Sequence, residues 1–128
     1  MNEVVLDASA MLALLLGEIG EEKLTAEMLA HSVASTVNLA EVQSKLVKSG
    51  GTPDVSWSDA LSAVNSVEPY TQQQARIAGN LITVTEKYGL SLGDRSCLAL
   101  AISLKAPVYT TDQAWKNLKV GVPIYVIR

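Results

Sequence analysis

The 128-residue sequence contains no phenylalanine, and aromatic residues of all kinds make up only 5% of it. Its core must therefore be built mostly of Leu, Val, Ile and Ala, a mixture suited to helices packed on strands. Cysteine is almost as scarce. A single Cys97 excludes an intrachain disulfide, and with His31 the only histidine no Cys and His ligand set for zinc can be drawn. A reducing, cytoplasmic setting fits that poverty. Positive charge is not in excess either: 10 basic residues against 13 acidic ones leave a net charge of −3, which argues against nonspecific coating of nucleic acid without excluding an enzyme that cuts it. Linkers, internal repeats and low-complexity tracts are also missing. The apolar start VVLDASAMLALLLG has no basic head, contains Asp7 and is too short to span a bilayer, so no membrane role is expected.

What is present describes an ordinary globular chain, 48% hydrophobic and 18% charged, and one domain over residues 1–128 is expected. Short β-branched runs alternate with helical patterns. EVVLD is a strand ending in an acid, and SAMLALLLG follows it as a buried helix closed by Gly17. Residues 21–31 are amphipathic, residues 32–37 are β-prone, and NLAEVQSKLVKSGG carries Leu39, Val42 and Leu46 at helical spacing. A helix is predicted over 54–66, a strand over 67–70, one long helix over 71–88 ended by Gly89, and a further helix from about Asp94. PVYTTD repeats the opening pattern of a strand closed by an acid, a short helix follows near 113–118, and a strand over 123–127 completes the series. Such alternation predicts an α/β three-layer sandwich, with a central parallel sheet flanked by helices.

Four acids stand at informative places in that plan. Sites in open parallel sheets form at the carboxyl ends of the strands, where Asp7 and Asp112 fall. Asp94 heads a helix and Glu41 lies near the start of another, so all four could face one crevice. Uncompensated, such carboxylates would repel one another and raise some of their own pKa values; a divalent cation removes the conflict. Oxygen-only ligands suit Mg²⁺ or Mn²⁺, and water on such an ion is placed to attack a phosphodiester. With these four set aside, 10 basic residues face 9 acidic ones, so the remaining surface need not repel RNA.

VLDASAMLALL, NLAEV, LSLGDRSCLALA and VYTTDQAW, in this order and spacing, resemble the four acidic motifs of the PIN domain family, especially the small single-domain VapC toxins of toxin–antitoxin pairs. The resemblance spans essentially the whole chain, and none of the four acids is missing. Asp7, Glu41, Asp94 and Asp112 match the family's acids, and Ser9 and Thr110 match its supporting hydroxyls. It implies a Mg²⁺- or Mn²⁺-dependent endoribonuclease, usually a homodimer, held inactive by a VapB-type antitoxin that enters the active-site groove. In that reading Asp7, Asp94 and Asp112 mainly hold metal, Glu41 holds metal or orients the attacking water, and Ser9 and Thr110 anchor the carboxylates. Arg95 is left open among a phosphate contact, a partner for an acid, and neither.

Plainer readings stand beside these. Asp94 alone reads as a helix cap, Glu41 alone as part of a solvated helix face, Cys97 as a small core residue and His31 as a surface residue near a helix end. Trp57 and Trp115 fit a core edge or interface better than a base-stacking role, and Lys45, Lys48, Arg76, Lys87 and Lys116 make no basic stripe. Two other classes compete with the nuclease. A receiver-like phosphoacceptor domain also places acids at strand ends but wants a lysine after its late strand, where this sequence has Asp112 and then PIYVIR. A non-catalytic protein-binding module would use the acids structurally. A haloacid-dehalogenase-type phosphatase wants a second acid where Ser9 stands, and a dinucleotide-binding domain wants a glycine-rich turn that is absent.

Overall fold

The computed structural model describes residues 2–128. Five short strands, β1 (Val4–Leu6), β2 (Ser32–Ser35), β3 (Ser66–Glu68), β4 (Val108–Thr110) and β5 (Ile124–Val126), form one sheet in the order β3-β2-β1-β4-β5. All four pairings are parallel, with Val5 in register with both Val33 and Val108. The helices are α1 (Ala8–Leu16), α2 (Ala26–Ala30), α3 (Thr36–Lys48), α4 (Pro53–Ser62), α5 (Gln72–Asn80), α6 (Ile82–Thr85) and α7 (Leu92–Leu104).

The strands alternate their side chains between two cores, as a pleated strand must. Val5, Val33 and Val108 pack with Cys97, Leu98, Leu100 and Ala101 of α7 and with Trp115. Leu6 and Ala34 turn to the opposite face, against Ala10 and Met11 of α1, Leu39 and Val42 of α3, and Ala60 of α4. This is the expected three-layer sandwich. Both α1 and α7 are apolar over most of their circumference, because each has the sheet on one side and further helices on another.

Several boundaries differ from the pattern-based expectation. The predicted helix over 71–88 divides into α5, α6 and a 3-10 turn at Glu86–Tyr88. Gly79 and Asn80 are weak helix formers, and the β-branched run Ile82–Thr85 follows them; Thr85 Oγ1 donates back to the carbonyl of Leu81 at 2.8 Å. Residues 21–31 also divide, into a 3-10 turn at Glu21–Lys23 and α2, because Thr25 caps α2 by accepting from the Met28 N–H. The stretch near 113–118 is reduced to a 3-10 turn at Gln113–Trp115. α7 begins at Leu92 rather than near Asp94, with Ser91 as its cap. Gly17 closes α1 at φ 65°, as expected of a left-handed cap.

Candidate active site

The connection order runs outward from β1 through β2 to β3, then crosses back to β4, so the sheet reverses direction between β1 and β4. Ligands in open parallel sheets bind at such a reversal, beyond the carboxyl ends of the strands. Asp7 follows β1 and Asp112 lies two residues beyond the end of β4, one on each side of it. The order also differs from the 2-1-3-4-5 arrangement of receiver domains, which removes that competitor.

Asp7, Glu41, Asp94 and Asp112 all line one cleft of about 290 Å³, together with Ala8, Ser9, Leu12 and Lys45. Each acid arrives on a different element. Asp7 is buried as the N-cap of α1, and both of its oxygens are engaged. Oδ1 accepts from Ser9 Oγ at 2.7 Å and from the Ala10 N–H at 2.8 Å, and Oδ2 accepts from Thr110 Oγ1 at 2.6 Å. The hydroxyls are held in turn: Ser9 Oγ accepts from the Thr111 N–H at 2.9 Å and Thr110 Oγ1 from the Asp112 N–H at 3.1 Å. Ser9 and Thr110 therefore fasten the end of β4 to the Asp7 carboxylate.

Asp94 does two jobs. It is the third residue of α7 and completes a capping box with Ser91, its Oδ2 accepting from the Ser91 N–H at 2.9 Å, while the same side chain lines the cleft. Asp112 caps the 3-10 turn after β4, with Oδ1 accepting from the Ala114 N–H at 2.9 Å. Glu41, on the exposed side of α3, accepts from Asn38 Nδ2 at 2.7 Å through Oε1. Among the described residues, Asp94 Oδ1, Asp112 Oδ2 and Glu41 Oε2 receive no hydrogen bond from the protein. Asp7 is the anchored acid, although Oδ2 with its single donor keeps a lone pair, and the other three each keep one oxygen wholly unengaged.

Burial dominates the electrostatics of Asp7 and pushes its carboxyl from 3.8 up to about 6, against the opposing hydrogen bonds from Thr110, Ser9 and Ala10; the charge of Asp94 adds to the rise. Beneath the cleft, the buried Cys97 thiol is pushed well above its ordinary value, by burial first and then by the charges of Asp7, Asp94 and Glu41. Cys97 is thus an inert core residue under an excess of negative charge. Among the described residues, no three His, Cys, Asp or Glu side chains close around a single point as a ligand set.

Arg95 takes the neutral option among its three. Its Nη1 donates to the Ala78 carbonyl at 2.9 Å, tying α7 to α5, and it does not line the cleft. His31 caps the C-terminal end of α2 and lines a different cleft with Asn2, Glu3 and Lys105. Trp115 is fully buried, and Trp57 is exposed on α4. Three neighbours of Glu41 join the site beyond the residues assigned to it from sequence: Asn38, three residues before it; Lys45, four residues after it, which read as one of several scattered basic residues; and Gly93, whose carbonyl accepts from Asn38 Nδ2 at 3.1 Å. Helical spacing signals the first two. Nothing local signals the third.

The chain belongs to the PIN domain family, whose model matches residues 4–121. No curated protein matches significantly by sequence. Among solved structures, a DNA-bound VapBC from Salmonella typhimurium is similar at a TM-score of 0.77 and 17% identity, covering all of both chains. A toxin–antitoxin complex from Klebsiella pneumoniae gives 0.75 and 18%, over 98% of each chain. VapC20 of Mycobacterium tuberculosis, described as a sarcin-ricin loop cleaving toxin, gives 0.73 and 20%, over 94% of this chain and 99% of that one. Identities this low show a shared fold. No helix among the described residues is long and apolar enough to cross a membrane.

Proposed function

We propose that this protein is a Mg²⁺- or Mn²⁺-dependent endoribonuclease, the toxin of a toxin–antitoxin pair, acting as a homodimer and restrained by a VapB-type antitoxin. The observation that carries the reading is the meeting of four acids from four separate elements in one cleft at the β1/β4 reversal of a PIN-family chain. A sarcin-ricin loop cleaving toxin and VapBC complexes among the similar structures support the RNA substrate and the antitoxin.

The donor set fits a hard divalent cation. It consists of oxygens only, and burial beside Asp94 leaves Asp7 with an unfavourable charge that a cation would relieve. Mg²⁺ keeps several waters and needs only one or two carboxylates directly, so a cleft in which three acids do not converge on a point can still hold it. Of Asp7, Glu41, Asp94 and Asp112, one or two would bind the ion directly and the others would hold its waters; Glu41, Asp94 and Asp112 each have an unengaged oxygen, and Asp7 Oδ2, with a single donor, keeps a lone pair. When bound, the metal supplies an acidified water and offsets charge on the phosphate oxygens. Ser9 and Thr110 keep the Asp7 carboxylate from rotating. Lys45, on the cleft wall, is placed to meet a substrate phosphate.

Purified, partner-free protein incubated with labelled structured RNA in Mn²⁺, Mg²⁺ or EDTA tests the reading, with Asp94→Asn beside it. Cleavage is expected in either metal and absent in EDTA and in the variant, with the variant's far-ultraviolet circular dichroism unchanged. Native-rate cutting by Asp94→Asn would refute the site. Absence of both cleavage and any Mn²⁺-dependent stabilisation would point to the non-catalytic binding module instead.

A further inference from the structure

We propose that Asn38 and Gly93 form a seat that holds the Glu41 carboxylate at the acidic cleft, making both positioning residues for the reaction above, on whose reading the inference rests. Glu41 lies on the exposed side of α3, where an unsupported glutamate would spend much of its time turned into solvent. Asn38, one turn earlier and only 1% exposed, spends both hydrogens of its amide nitrogen, on Glu41 Oε1 at 2.7 Å and on the backbone carbonyl of Gly93 at 3.1 Å. Those two acceptors fix the amide orientation, and they leave Asn38 Oδ1 buried without a partner. Such an orphan is unfavourable, and leucine, of the same branched shape, would lack it. What leucine cannot supply is the pair of donors that links Glu41 to the first turn of α7.

Gly93 supplies the other half. Its φ is not in the left-handed region, so the backbone does not require glycine, and inside a helix glycine weakens the element. Space explains it: a Cβ at this position would stand 2.6 Å from both Glu41 Oε1 and Oε2. The carboxylate rests against the bare backbone immediately before Asp94, so the seat also sets how Glu41 stands relative to Asp94. The three atoms nearest to a methyl group there all belong to the flexible end of the Glu41 side chain. Gly93→Ala should accordingly move Glu41 without unfolding α7.

Two variants with different folding risks test the seat. Asn38→Leu keeps the branched shape, with bulkier methyl groups, and removes the orphaned oxygen; Gly93→Ala adds one methyl. Gly93→Ala is expected to keep the parent melting temperature or raise it, Asn38→Leu to stay folded with the relief of the orphaned oxygen set against its larger methyl groups, and each to lower kcat about 10-fold at unchanged KM for RNA. Each should also raise, by about 10-fold, the Mn²⁺ concentration needed for half-maximal thermal stabilisation, a readout independent of cleavage. In a Glu41→Gln background neither should have any further effect. If Asn38→Leu does not fold, Gly93→Ala decides alone. Unchanged kcat and Mn²⁺ midpoint in the folded variants, beside an inactive Asp94→Asn, would overturn the seat and leave the nuclease standing. Loss of activity only in proportion to lost stability would also overturn it. An active Asp94→Asn would instead bring down the underlying reading.

Discussion

Asp7 is the residue at which burial and charge conflict most. Its folded carboxyl titrates near 6, above the ordinary 3.8, so between those values the native state holds a proton that the unfolded chain has released. The contribution of Asp7 to the stability of the metal-free protein therefore falls as pH rises through that interval and levels off above it. A shift of roughly two units corresponds to about 3 kcal/mol. Asn at this position has no proton to lose. The unfolding free energy of Asp7→Asn minus that of the parent should grow by about 3 kcal/mol between about pH 3 and pH 7, measured by urea denaturation in EDTA. A difference independent of pH would show that the carboxyl is not strained by its burial. Arg95 makes the opposite case, a charged residue next to a cleft acid in sequence whose side chain turns away from the cleft. Arg95→Met should lose about 1 kcal/mol, the worth of its bond to the Ala78 carbonyl, with kcat unchanged. The adjacency of Arg95 to Asp94 carried no information because successive helical residues point about 100° apart.

At the scale of elements, α7 shows that one acid can both cap a helix and line the cleft. Ser91 Oγ accepts from the Asp94 N–H at 3.2 Å, so Ser91→Ala should cost about 1 kcal/mol in denaturant melts. The variant keeps the Ser91 backbone N–H that binds Asp94 Oδ2, and cleavage should survive. The 3-10 turn at Glu21–Lys23 depends on β5 in a different way. Gly20 has φ 100°, and a Cβ there would collide with the Ile127 carbonyl. Gly20→Ala should destabilise by about 2 kcal/mol or more, read as a lower urea midpoint. Strand–helix alternation, the Gly17 stop and the acids after β1 and β4 were legible because each depends on local periodicity and local caps. The division of the predicted 71–88 helix was not. A helical pattern with a Gly-Asn pair and a β-branched run is only marginally helical, and packing settles where it breaks.

For the whole molecule, the acidic cleft gathers like charges that oppose folding, and a cation bound only by the native state would offset them. Mn²⁺ at 100 times its dissociation constant should stabilise the protein by about 2.7 kcal/mol, seen as a rise in melting temperature that EDTA reverses. Asp94→Asn should lose most of that rise. If the two proteins respond equally to Mn²⁺, the ion is bound somewhere other than this cleft.

The sequence by itself determined the α/β layering, the near-absence of aromatic core and the identities of the four acids, because these follow from side-chain period, composition and the residues that close strands. Only the tertiary structure decided that the sheet reverses between β1 and β4, which brings Asp7 and Asp112 to opposite sides of one cleft. It alone also assigned Arg95 to α5 and brought Gly93 beneath Glu41, 52 positions away in the chain. These are contacts between elements. Local pattern sets which face of a helix is buried, but not which neighbour covers it.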